Sequence, residues 1–443
     1  MPDMTGSGAT TSRTWTILVL VAIPLLLLPV GVFWSMARQT HKAGDEVVAE
    51  ARALTAQRRI RPSHVDAPTP GTFAQAIEPL VPELLRLQEG EPTPGEPVSE
   101  ACQDVREGKQ PLTKLPHECR EMLERGRPLM RRALLASRTE EAGLPEGLQA
   151  LSDPNHPHAN GQLALHSVLK LAALEMRFQL QEGRADTALE TCLDGLGLAR
   201  DMAHGGGVIG AMFSVSGYGT LFQPCADALH LASPTGKGKA AVALRRIREG
   251  LSPLSLALRE ERVFGALCTF GLLLDREQLD ALPPGARSIP SLGTHYMFYP
   301  GSALPLWGPF LRRHAGLELM RVAARSISLA DLPASARSSR LEGLGKSFER
   351  SWNPILRESA PDYENFAARV DRQRAQVDLL LAMALVETHR AERGTWPPAL
   401  PPLYPEHEVL LPTALKLQPD EDGKLLLTPE DASLQELALT VAP

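Results

Sequence analysis

The chain has 443 residues, 43% of them apolar and 22% charged, with a formal net charge of −6 at pH 7. That balance excludes disorder throughout, a collagen-like repeat and a small disulfide scaffold, and it argues against a protein that binds nucleic acid over its whole surface. Aromatic residues make up only 5%, and arginine outnumbers lysine 37 to 9.

Residues 15–34, WTILVLVAIPLLLLPVGVFW, carry no charge. At about 1.5 Å per residue such a helix spans roughly 30 Å, the hydrocarbon thickness of a bilayer. Trp15 and Trp34 stand where interfacial aromatics belong, and membrane helices tolerate prolines such as Pro24 and Pro29. The competing pattern is a cleavable signal peptide, with Ser35-Met36-Ala37 as a small-residue cleavage site. The run exceeds the about 7–15 apolar residues of such a peptide, and only Arg13 precedes it as a basic residue. The expectation is therefore a tail at 1–14 and an uncleaved anchor at 15–37, with the lipid bilayer as partner of residues 15–34.

Orientation is contested. Arg38, Lys42 and Arg52 follow the run, which by the positive-inside rule favours a cytoplasmic bulk. A short tail before a large C-terminal body is instead the layout of a signal anchor. Cys102 and Cys119, in a Pro-rich stretch, are a possible disulfide in an oxidising compartment, and the odd total of five cysteines leaves at least one free. The adopted expectation is a single pass through the inner membrane with an extracytoplasmic, periplasmic bulk.

Residues 38–60 read as a polar continuation of the anchor helix. Residues 61–98 hold eight prolines and read as a linker, with one amphipathic stretch, Phe73 to Leu87, that Pro79 and Pro82 interrupt. This juxtamembrane region is bounded at 38–116. A helical domain is expected at 117–352. His117–Thr139 shows helical spacing of Met122, Leu123, Leu129, Met130, Leu134 and Leu135. Helices follow at Gln162–Gln181, Ala185–His204, Val208–Leu231, Gly238–Gly250 and Ser252–Leu279. Small residues along Val208–Leu231 mark it as a buried helix. Residues 281–310, rich in Gly, Pro and aromatics, read as an irregular crossing segment. Two less regular helices, Phe310–Ser328 and Ser335–Trp352, come next.

The last unit, 353–443, starts with a long helix at Pro361–Arg393, which Gly394 and Pro397-Pro398 end. Two short apolar runs, Ala414–Leu417 and Leu425–Leu427, flank the hairpin-turn sequence Asp420-Glu421-Asp422-Gly423.

Three resemblances follow from these residues. GRADTALETCLDGLGLAR, residues 183–200, is similar to the second helix of a tetratricopeptide hairpin, with Ala188 as the small residue that lets the helix pair close. No 34-residue period recurs, so the likeness implies stacked antiparallel hairpins without a counted array. The long arginine-bearing helix, Gly394-Thr395-Trp396-Pro397, Leu400, Leu403 and the two-strand tail resemble the C-terminal part of a group of uncharacterised, membrane-anchored, helix-rich bacterial proteins. The G-x-W-P-x-x-L element is also similar to that of pseudopilins of type II secretion, although their prepilin cleavage signal is absent and the helical middle here is far larger.

For chemistry, Asp153, His156, His158 and His166 are the one cluster with a permissible metal spacing, His-x-His. A solvated Pro-rich loop before a helix is the preferred reading, so no metal, cofactor or catalytic residue is assigned. Ser167-Val168-Leu169-Lys170 matches S-x-x-K without its companion elements, and Leu344-Gly345-Lys346-Ser347 lacks the first glycine of a phosphate-binding loop. Arg58, Arg59 and Arg61 form a basic collar suited to a solvated face or an anionic leaflet. Arg369, Asp371, Arg372, Arg374 and Asp378 mark a polar helix face. The resulting expectation is a mostly α protein: one transmembrane helix, stacked antiparallel hairpins and a small two-stranded β element. Its expected role is an extracytoplasmic scaffold or interaction module with a protein partner. The alternatives are a metal-dependent hydrolase at 153–166 and a secretion-system accessory component.

Overall fold

A computed structural model describes residues 9–91, 95–270, 274–291, 307–358, 362–404, 412–419 and 424–441, and the side chains among these except those of 9–29, 269–270 and 358. The chain is mostly helical with a small antiparallel sheet at its C-terminal end. Helix α1 runs unbroken over Ala9–Ala56, so the expected polar continuation of the apolar run is one helix with it. Among the described residues no helix is long and apolar enough to cross a membrane. Most of the run 15–34 lies outside the described side chains.

The second half of α1 packs on the body. Ala43, Val47, Val48, Ala51 and Leu54 recur at helical spacing and are buried with Leu256, Val263 and Leu267. The Pro-rich stretch expected as a linker is packed as well. Thr72 caps α2 (Phe73–Ile77) with a reciprocal capping box to Gln75, a 3-10 turn follows, and α3 covers Val81–Gln88. Phe73, Ile77, Leu80, Val81 and Leu84 are all buried in the main core. Pro79 and Pro82 fall in the first turns of their short helices, where a missing N–H costs no hydrogen bond. They segment the helix without expelling it from the core.

Helices α4 (Pro97–Arg106) and α5 (His117–Ala136) are joined by a Cys102–Cys119 disulfide, Cα atoms 6.4 Å apart. Next come α6 (Gly161–Gln181), α7 (Ala185–Met202), α8 (Gly207–Leu231) and α9 (Pro234–Glu249). Gly183, at φ +71°, turns α6 into α7, and Ala188 at the start of α7 is fully buried, as a close helix pair requires. At Gly217 an added Cβ would lie 2.4 Å from Leu169 Cδ1 and 3.1 Å from Ala199 Cβ, so this glycine sets the approach of α8 to α6 and α7. A second disulfide, Cys192–Cys225, ties α7 to α8.

The expected helix Ser252–Leu279 is two helices, α10 (Leu254–Phe270) and α11 (Arg276–Ala281), the latter started by a capping box of Asp275 and Gln278. Then follow α12 (Trp307–Ala330), α13 (Ala334–Glu349) and α14 (Pro354–Glu358). Helix α15 (Tyr363–Arg393) is the spine of the fold. Residues 373–384 are buried all round, where the sequence suggests one apolar face, because α8 and α9 cover one side and the C-terminal sheet another. Gly394 closes α15 in the left-handed conformation, φ +72°, and the Arg390 guanidinium stacks 4.1 Å from the centre of the Trp396 ring.

The C-terminal sheet has three strands, not two. β1 (Leu415–Pro419) pairs antiparallel with β2 (Leu425–Pro429), and β3 (Leu439–Thr440) pairs with β2 on its other edge. The expected turn residues 420–423 lie outside the described residues, as does half of 281–310, residues 292–306. A two-residue ladder, Arg59–Ile60 against Glu141–Ala142, ties the end of α1 to the loop after α5.

Candidate functional site

Two features carry chemistry beyond packing. The first is a buried clamp that fixes the segment after α1. The Arg59 Nη2 donates to Glu260 Oε1 at 2.7 Å, and the other Glu260 oxygen accepts the Gly207 N–H at 2.8 Å. Arg61 forks onto Asp201, its Nε 2.8 Å from Oδ1, and also donates to the Ser137 and Thr139 carbonyls. Asp201 takes a second guanidinium, Arg200 Nε, at 2.9 Å. His64 Nε2 meets Asp194 Oδ1 at 2.8 Å, and Asp194 holds the Arg138 fork on both oxygens.

Burial alone pushes the Asp201 carboxyl up, but Arg200 and Arg61 hold it below the usual carboxylate range. Burial lowers both the Arg61 guanidinium and the His64 ring, with Asp201 and Asp194 opposing it respectively. The basic collar is thus not a lipid-facing surface: Arg59 and Arg61 are buried ion-pair partners, and only Arg58 is exposed, paired to Glu141. The polar face expected on the last helix changes likewise. Asp378 is buried and accepts from Arg248 Nε at 3.1 Å, Tyr404 OH at 2.6 Å and the Thr413 N–H at 2.8 Å, while Asp371 pairs with the buried Arg337.

The second feature is a cavity of about 690 Å³ between the loop before α6, the start of α8 and α10. Its apolar wall includes Leu148, Leu163, Val208, Ile209, Phe213 and Phe264. Its polar groups include Asp153, Glu261 and Gln162, and no lysine, arginine or histidine lines it among the described residues. Gln162 is 7% exposed; its amide N–H donates to the Leu148 carbonyl, and its Oε1 is buried without a hydrogen-bond partner. Burial pushes the Glu261 carboxyl up, with no opposing charge among the described residues. Asp153 sits lower than an ordinary aspartate because it accepts the Asn155 N–H, 2.9 Å away.

The structure separates the expected metal cluster. Asp153 lines the cavity, whereas His156 and His158 stack edge to face on each other, ring centres 5.0 Å apart. The His156 ring occupies the space beside Gly147, where an added Cβ would lie 2.1 Å from Nδ1. His166 is on α6, with Nε2 2.9 Å from Ser216 Oγ on α8, and burial plus Lys170 and Arg106 lower it to about 4. Among the described residues no three His, Cys, Asp or Glu side chains form a group able to hold a metal ion. Ser167 and Lys170 stand on the regular helix α6, and residues 344–347 on α13.

Sequence reasoning missed Glu261, Gln162 and the acids of the clamp. The available signal was charge inside apolar helix runs, as in CLDGLGLARDM and SLALREERVFGAL. No protein family, no curated protein and no solved structure significantly matches the chain.

Proposed function

We propose that this chain is a single-pass membrane-anchored scaffold whose helical body, on the extracytoplasmic side, presents an interaction surface to a protein partner. The observation that carries the reading is the continuity of α1. The helix that contains the uncharged run 15–34 extends to Ala56, buries Val47, Val48, Ala51 and Leu54 in the body, and leads directly into the clamp at Arg59, Arg61 and His64. A flexible tether would leave the body free to tumble. A shared helix sealed by buried ion pairs fixes its orientation relative to the helix axis, which suits a platform. The two disulfides support an oxidising compartment.

Three measurements test it. Alkaline extraction of membranes should leave the chain in the pellet, and deletion of 15–34 should release it; release of the intact chain refutes the anchor. Alkaline phosphatase fused to the C-terminus should be active; an inactive fusion places the body in the cytoplasm. Crosslinking in cells should recover a protein partner of the body, and recovery of this chain alone would refute the scaffold. A secretion or pilus subunit among the partners would narrow the role to an accessory of that machinery.

A further inference from the structure

We infer that the cavity between the loop before α6, the start of α8 and α10 binds a small apolar amine, its ammonium held by Glu261 and its hydrocarbon against Phe213, Phe264 and Ile209. The volume, about 690 Å³, falls within the roughly 300–1,000 Å³ of small-molecule sites.

The polar inventory selects the ligand. The wall offers the carboxylates of Asp153 and Glu261, with no cationic side chain among the lining residues. An anion would meet two like charges. A hydrocarbon without donors would leave Glu261 unpaired in a drier site, which is costly. A protonated amine brings both the charge and the N–H donors.

The neighbouring residue is an internal control. Glu260, about 100° round the same helix turn, is compensated by Arg59 and the Gly207 N–H. Glu261, one position on, has no ion pair or hydrogen bond among the described residues, although a glutamine there would avoid the desolvation cost. Its titratable neighbours are Cys268 and Tyr363; both are pushed up, first by burial and then by the Glu261 charge, so both stay protonated and neither neutralises it. At the rim, Ile209 is 58% exposed and Leu163 39% exposed, an apolar lip that a ligand's hydrocarbon would cover.

The test uses the full chain in nanodiscs of uncharged lipid, with empty nanodiscs subtracted, and equilibrium dialysis at pH 8 of 1-naphthylmethylamine, the alcohol 1-naphthylmethanol and the anion 1-naphthoate. The amine should bind at least about tenfold tighter than the alcohol, and the naphthoate weakest of the three. Glu261→Gln should erase the preference of amine over alcohol, and Ile209→Asn should weaken both. Without ligand, Glu261→Gln should melt at the same temperature as the parent or higher. Equal binding of amine and alcohol, a preference that survives Glu261→Gln, no binding of any probe, or a lower melting temperature of the Gln variant would each overturn the inference.

Discussion

Replacing Arg61 with Met removes the centre of the clamp while keeping most of the side-chain volume. The guanidinium is 2% exposed and Asp201 is fully buried. Losing one partner of a buried pair costs about 3–5 kcal/mol, because the other charge stays behind uncompensated. Here Arg200 still donates to Asp201 at 2.9 Å, which places the loss at the lower end, about 3 kcal/mol. The Thr139 carbonyl also loses its Arg61 donor. The loss should act locally first, on the segment that joins α1 to the body. The amide of Arg61, bonded to the Glu140 carbonyl at 3.0 Å, reports that opening by hydrogen exchange. In the lipid-embedded full chain its exchange should accelerate about 100-fold, the equivalent of 3 kcal/mol. Arg61→Lys should recover only part of the protection, since an ammonium cannot reproduce the two-pronged contact. Arg58→Ala, removing an exposed pair with Glu141, should leave the rate unchanged. An acceleration below about threefold in Arg61→Met would refute the claim that the clamp holds the junction.

Further expectations concern pH, backbone and crosslinks. His204 is buried, its Nε2 2.9 Å from the Gly250 carbonyl, and burial lowers it from 6.5 to about 4. The unfolded chain therefore takes up a proton first, and stability should fall by up to about 3 kcal/mol as pH drops from about 6.5 to about 4, with His64 shifted in the same direction. His204→Gln should flatten that slope in melting curves taken between pH 7 and 4.5; an unchanged slope would assign the effect elsewhere. Gly394→Ala has open space for its Cβ but must hold φ near +72°, so a loss of roughly 1 kcal/mol is expected in denaturant melts, and none would contradict the left-handed cap. Changing Cys192 and Cys225 together to Ser frees a loop with a sequence separation of 33 and should lower stability by about 3–4 kcal/mol, read as a lower unfolding midpoint that reductant no longer shifts.

The helices were largely legible because their signals are local. Gly183 and Gly394 ended helices where the sequence placed the ends, and apolar spacing located α6, α7 and α15. The stretch 61–98 shows where local signals conflict. Its proline count says spacer, while Phe73, Ile77, Leu80, Val81 and Leu84 say core; burial decides it, because proline is harmless in a first helical turn. The clamp was invisible for another reason. Arg61 and Asp201 are 140 positions apart, Arg59 and Glu260 201, and no spacing rule links residues so distant. The cavity shares that property, being assembled from a loop and two helices. Of the histidine cluster, only Asp153 reaches it, since the loop turns His156 toward Gly147 and α6 carries His166 to Ser216.

The spine position of α15 has a consequence for biosynthesis. The groove it fills is lined by α8 and α9, which end at Glu249, whereas α15 ends at Arg393. At about 5–20 residues per second, the roughly 140 intervening residues keep that apolar groove open for about 7–30 s while the chain is made. The body cannot close progressively from its N-terminal end. A chain truncated before residue 363 retains every earlier helix yet lacks the segment that covers them, so interrupted synthesis should yield an aggregation-prone product, and a holding chaperone would act on the α8–α9 face during that interval.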